Sequence, residues 1–149
     1  MMSNIKDLLR APFELAYTYK RSNGPLMSKF FDGLADQRIL GTKSSTGKVF
    51  APAAEFDPDT NESLSELIEV GPGGIIESYS WIENPLQHHL IKQPFAFALI
   101  KLDGADTSML HMVANCNESD LSIGSRVVPT WSEIQEKRIT DIQFFTLET

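Results

Sequence analysis

The stretch FAFALIKLDGADTSMLHMV, residues 95–113, decides the fold. Apolar residues run almost without interruption from Phe95 to Leu102, which predicts a strand buried on both faces. The polar LDGADT then breaks it, with Asp103 and Asp106 as turn residues capping a hairpin, and SMLHMVANC resumes as a second strand. Working outward, ELIEVGPGG and IIESYSWIEN precede this hairpin, and SRVVPTWSEI and RITDIQFFTL follow it. Turns at Gly71-Pro72-Gly73-Gly74, Asp103-Gly104 and Ile123-Gly124 punctuate them. Short strands at this spacing, with no long helical pattern between them, predict a small antiparallel barrel. In the last strand, Ile139, Asp141, Gln143 and Phe145 share one face, and Thr140, Ile142, Phe144 and Thr146 the other.

Upstream, the extended pieces RIL and KVFAP flank TKSSTG, a hairpin signature with Gly47 supplying a positive φ. A further turn, DPDTNES, follows. The first third carries helical spacing. Ile5, Leu8, Leu9 and Phe13 predict a first short helix broken at Pro12, and Glu14–Lys20 a second. SNGP closes that second helix, and Leu26, Phe30, Phe31 and Leu34 predict a third over MSKFFDGLADQ. The expected organisation is an N-terminal helical segment (1–38), a hairpin unit (39–64) and a barrel (65–149).

At 149 residues, 42% hydrophobic and 22% charged, the chain fits one globular unit and excludes disorder. No run approaches the roughly 18 apolar residues that span a bilayer. Charges fall where a signal peptide needs its apolar stretch, so a cytoplasmic protein is expected. The single cysteine, Cys116, excludes an internal disulfide framework and a cysteine-based zinc site.

The net charge of −7 argues against a general nucleic-acid binder. The charge is uneven: residues 1–48 carry eight Lys/Arg against four Asp/Glu, and residues 49–149 carry five against sixteen. A solvated basic surface is the simpler explanation, and an anion or an acidic partner meeting the basic N-terminal end is the sharper one.

Candidate chemistry is sparse. GTKSSTGKVF imitates a phosphate loop, but five residues separate Gly41 from Gly47, and Val49 stands where a hydroxyl would hold magnesium. His88 and His89 are adjacent in a polar insertion and point to opposite sides of an extended chain, and His111 lies in a strand. Cys116 is surrounded by Asn115, Asn117, Glu118 and Asp120, which disfavour a thiolate. No nucleophile, base and oxyanion donor assemble, so the residues describe a binding module, not an enzyme.

These residues resemble a family: the OB-fold, acyl-CoA-associated proteins that carry a rubredoxin-like zinc ribbon. The resemblance covers about residues 25–146 and rests on FFDGLADQRILG, TGKVFAPAAEFDP, IEVGPGGIIESYSWI, FAFALIKLDGADTSMLHMV and IGSRVVPTW with ITDIQFF. It implies a mostly β fold: a five-stranded OB-fold barrel after short N-terminal helices and a degenerate, metal-free ribbon-like hairpin unit. Family members bind zinc through paired CxxC knuckles. The matching positions here are Lys43 and Thr46, then Asp57 and Thr60, so no zinc is expected and no other cofactor is implied. Packing by Val49, Phe50, Pro52 and Phe56 would hold the ribbon instead.

The resemblance further implies a non-catalytic accessory subunit of a thiolase-like acyl-CoA enzyme. That enzyme would be a thiolase, an acyltransferase, or a retro-aldolase of the kind acting in steroid side-chain degradation. The partner subunit would hold the catalytic residues, in a two-plus-two heterotetramer, and this chain would shape the acyl-CoA channel. Lys20, Arg21, Lys29, Arg38, Lys43 and Lys48 are the candidate contacts to CoA phosphates or to the partner. Trp81 and Trp131 suit an interface or the core equally. The competing reading, an OB-fold single-strand nucleic-acid binder, needs a basic strand face that an acidic 65–149 does not supply.

Overall fold

The computed structural model describes residues 11–149. The helix expected at Ile5–Phe13 lies largely outside them. Residues 11–23 form no helix, so the expected helix at Glu14–Lys20 is corrected. The physical reason is its period. Phe13, Leu15, Tyr17 and Tyr19 recur every second residue, which gives a helix no single apolar stripe.

The helix α1 spans Gly24–Ala35, so Gly24 and Pro25 of the expected SNGP turn begin the helix. Asn23 stands at the N-cap with proline directly after the start, where a missing N–H costs nothing. Phe30 and Leu34 are fully buried against the core.

A three-stranded antiparallel sheet follows, in the order β2-β1-β3, from β1 (Ile39–Lys43), β2 (Val49–Phe50) and β3 (Glu66–Val70). The expected hairpin is present: the Ser44 N–H donates to Lys48 O at 2.8 Å, and Gly47 has φ +88°. The strand over 66–70, expected in the barrel, pairs along its whole length with β1.

Five strands then close a barrel: β4 (Gly74–Ile82), β5 (Phe95–Leu102), β6 (Ser108–Val113), β7 (Arg126–Trp131) and β8 (Ile142–Leu147), in the order β4-β5-β6-β8-β7. β4 pairs with β7 to complete the ring, and β6 meets β8 in parallel at Val113 and Phe145. That closed five-stranded, mixed barrel has the OB topology. Ile76, Ala98, Ile100, Leu102, Val113, Val127, Ile142 and Phe145 fill it.

Two expectations about strand faces are corrected. β5 is buried on one face only, because Leu99 is 42% exposed and Phe97 and Lys101 are part-exposed. In the last strand the strict alternation fails. A 3₁₀ turn occupies Ile139–Asp141, and Ile142 and Phe145, three apart, are both buried.

LDGADT is more than a hairpin cap. Asp103 receives both terminal nitrogens of Arg126 at 2.6 and 2.8 Å. Asp106 Oδ2 accepts the Val49 N–H at 2.8 Å, and Thr107 Oγ1 accepts the Ala51 N–H at 2.9 Å. The β5–β6 turn thus clamps the small sheet to the barrel.

Candidate functional site

The family resemblance places zinc at the two turns of the small sheet. Ser44 and Thr46 hydroxyls hydrogen-bond at 2.8 Å. Asp57, 1% exposed, accepts the Asp59 N–H on Oδ1 at 2.7 Å. Glu62 bridges the turns, accepting the Ser45 N–H at 2.7 Å and the Ser45 hydroxyl at 2.6 Å. Those bonds hold its carboxyl below the ordinary carboxylate range. Lys48 adds an ion pair to Asp59 at 3.0 Å, which raises the pKa of its ammonium.

The donor set at Lys43, Thr46, Asp57 and Thr60 does not fit zinc. It contains no thiolate or imidazole, one member is a cation, and its single carboxylate is committed to backbone N–H groups. Among the described residues, no group of three His, Cys, Asp or Glu is placed to hold a metal. Val49 and Phe50 are buried as expected, but Pro52 is exposed and Phe56 is 60% exposed. Ala51, Ala53 and Leu64 take their place, because hydrogen bonds already fix the turns and small side chains suffice beneath them.

The six basic candidates are not one cluster. Lys20 and Arg21 lie in the segment before α1, and Lys29 on the exposed side of α1. Arg38 precedes β1 and pairs with Glu69 at 2.8 Å. Lys43 ends β1, about 16 Å along the strand from Arg38. Lys43 and Lys48 flank the hairpin turn, but Lys43 stands opposite Val49, so Lys48, one position earlier, faces the other side of the sheet. Lys20, Arg21, Lys29 and Lys43 make no ion pair with the described residues.

A second feature, missed from sequence, is an apolar groove of about 280 Å³ on the barrel wall. Phe97 of β5, Leu110 and Met112 of β6, Leu90 of the insertion and Ile139 line it, with His89 and His111. Leu90 and Leu110 are more than 60% exposed. Cross-strand register brings Phe97 opposite Met112 and Leu99 opposite Leu110, so the outer face of this hairpin is a continuous apolar strip. The signal was present in SMLHMV, where Leu110 and Met112 fall out of phase with the buried Met109 and Val113.

His89 and His111 frame the groove. His89 Nδ1 accepts the Leu86 N–H at 3.1 Å, and its ring meets Phe95 and Phe97 edge-on. His111 is 7% exposed, with Nδ1 accepting the Met112 N–H at 2.9 Å and Nε2 at 3.4 Å from the Ile139 carbonyl. An accepting Nδ1 requires the neutral ring, so Nε2 carries the proton. Burial holds its pKa below the ordinary histidine value. Folded His111 therefore resists protonation that the unfolded chain accepts, and stability falls as pH drops below about 6.5. His111→Gln should flatten the thermal midpoint between pH 7.5 and 5.5, where the wild type declines. Parallel profiles for the two proteins would refute this.

Among the described residues, the remaining polar groups form no catalytic grouping. Cys116 is half-buried, and burial together with Asp120 pushes its thiol pKa up, away from a nucleophile. Buried Asp141 accepts the Glu136 and Lys137 N–H groups at 2.8 and 2.9 Å, a structural role. Ser108 donates to Glu77 on the exterior of the barrel, outside the groove. Trp81 donates its indole N–H to Glu83 at 2.8 Å, and Trp81 and Trp131 are both part-buried against the core.

Residues 67–132 match the family model described as ChsH2, C-terminal OB-fold domain. A DUF35-family protein of unknown function from Sulfolobus solfataricus superposes with a TM-score of 0.62 at 21% identity, covering 85% of each chain. A chain of the Ltp2–ChsH2(DUF35) aldolase superposes with a TM-score of 0.63 at 16% identity, covering 86% of this chain and 98% of that one. At these identities the likeness shows the fold. The comparison with curated proteins returns no match. The sequence resemblance to an OB-fold family of the ChsH2/DUF35 type is thereby upheld.

Proposed function

We propose, from the match of residues 67–132 to the ChsH2 C-terminal OB-fold domain, that this chain is the accessory subunit of a thiolase- or aldolase-like acyl-CoA enzyme. The family match carries the reading. Three features support it. The described residues assemble no nucleophile with a base and an oxyanion donor, so chemistry falls to a partner. An apolar strip on the β5–β6 face is left open, as a surface meant to be covered by another chain is. The solved Ltp2–ChsH2(DUF35) aldolase, whose DUF35 chain shares this fold, favours aldolase chemistry in the partner.

In this reading the partner binds and cleaves the acyl-CoA, as a retro-aldolase does on a steroid side chain. This subunit shapes the channel and stabilises a two-plus-two heterotetramer. Lys43 and Lys48, which flank the hairpin turn, and Lys20, Arg21, Lys29 and Arg38 are the contacts to CoA phosphates or to the partner. No helix of the described residues is long and apolar enough to cross a membrane.

Affinity purification of the tagged full-length chain from its native cells, followed by mass spectrometry and light scattering, tests the proposal. A thiolase-fold chain at one-to-one stoichiometry is expected. Recovery of the chain alone, or with nucleic acid, would overturn it.

A further inference from the structure

The segment before α1 carries four large apolar side chains that the body of the protein leaves uncovered. Phe13 is 86% exposed, Leu15 and Tyr17 are 76% and Tyr19 is 74%. Solitary exposed hydrophobics need no explanation, but four at every second position do. Period two is the period of an extended chain, which turns alternate side chains to one side. The Tyr17 and Tyr19 rings lie 6.0 Å apart, close to the roughly 6.6 Å that separates i and i+2 neighbours on one face of a strand. Glu14, Ala16 and Thr18 occupy the opposite phase, and Lys20 and Arg21 follow directly.

The protein's own sheets offer such a strand little purchase. The barrel is closed, and residues 11–23 pair with none of its strands. The outer edge of β2 is taken by Asp106 and Thr107. β3 presents exposed Glu66 and Glu69, and carboxylates on an edge strand turn away strand addition. Among the described residues nothing covers this apolar face, and the accessory-subunit reading supplies the complement on a different chain.

We propose that residues 13–19 are a docking arm. It lies as an extended strand along the catalytic subunit, with Phe13, Leu15, Tyr17 and Tyr19 in an apolar slot. Lys20 and Arg21 meet an acidic rim at the end of that slot. The inference rests on the accessory-subunit reading and deepens it. The arm contacts the partner, and the groove and the basic hairpin turn remain separate surfaces.

The phase of the arm is the test. In the full-length chain, one variant replaces the apolar face (Phe13→Ser, Leu15→Ser, Tyr17→Ser, Tyr19→Ser), and another the opposite face (Glu14→Gln, Ala16→Ser, Thr18→Ser). Affinity for the co-purified catalytic subunit should fall at least ~100-fold for the first and stay within ~3-fold for the second. Thermal midpoints should stay at the wild-type value for both, because the arm is exposed. In the free protein trypsin should cut after Lys20 and Arg21, and the complex should resist it. Equal effects of the two faces, or unchanged binding by the first variant, would overturn the arm while leaving the accessory role standing. So would conversion of a wild-type homodimer to a monomer with partner binding intact, since the arm would then serve a second copy. A wild-type chain that binds no thiolase-like subunit overturns both.

Discussion

Gly74→Ala lowers the midpoint of thermal unfolding by about 6–12 °C, the largest single-residue effect expected in this chain outside the central core. Gly74 opens β4 at the join between the small sheet and the barrel, facing Leu102 of β5 and Val127 of β7. A Cβ there would collide with the Lys101 carbonyl oxygen and come within 2.9 Å of Lys101 C and Leu102 Cα. All three are backbone atoms, so no side chain can swing aside. β5 cannot retreat either, because its other edge is paired with β6 over six residues. The strain is therefore relieved only by separating β4 from β5, at a cost of about 3 kcal/mol. Gly47→Ala is the matched control. Nothing lies within 4 Å of its Cβ, and only the φ of +88° resists substitution, at about 1 kcal/mol. Calorimetry on both variants decides the matter. A Gly74→Ala protein no less stable than Gly47→Ala would contradict the close approach of β4 and β5.

The reach of the sequence follows from how local each cause is. The 44–47 turn was legible because one glycine and a run of small polar residues determine it within six positions. The core of α1 was legible because Phe30 and Leu34 recur at helical spacing on one element. The barrel was legible as a class, since short strands between glycine turns leave few architectures, and the family resemblance supplied the topology. The failures have the opposite character. Assigning Glu66–Val70 to the barrel was wrong because its partner, β1, lies more than twenty residues upstream and nothing in ELIEV names it. The one-sidedness of β5 was hidden because the groove-lining Phe97 and the exposed Leu99 are as apolar as the buried Ala98 and Ile100. The helix expected at Glu14–Lys20 fails because helical spacing in the flanking residues does not extend through it, where Phe13, Leu15, Tyr17 and Tyr19 alternate instead. Of the candidate site, the residue types were legible but their dispersal was not. Arg38 and Lys48 are each turned to a carboxylate of the small sheet, a pairing that no spacing announces.

The double variant Asp106→Ala with Thr107→Val should uncouple the small sheet from the barrel. Two side chains on the β5–β6 turn act as a surrogate strand for β2. Asp106 Oδ2 takes the Val49 N–H, and Thr107 Oγ1 both takes the Ala51 N–H and donates to the Ala51 carbonyl at 3.1 Å. Val49 and Ala51 are buried, so water cannot replace the lost partners without opening the sheet. Each orphaned buried group costs about 1–3 kcal/mol, and three are created, though partial relaxation brings the total to roughly 3–5 kcal/mol. The surviving link between these segments, the Asp106 N–H on Val49 O at 2.8 Å, is backbone and remains in the variant. The loss should not be spread evenly. The barrel keeps its closed ladder and the Arg126–Asp103 clamp, whereas the three-stranded sheet loses the cover on its β2 edge. Hydrogen exchange should accelerate by at least ~100-fold at amides of β1–β3 and change little in β5 and β6, with a second, earlier transition on heating. A single cooperative transition with protection lost uniformly would show that the small sheet and the barrel are one folding unit, coupled through α1 and the shared core and not through this turn.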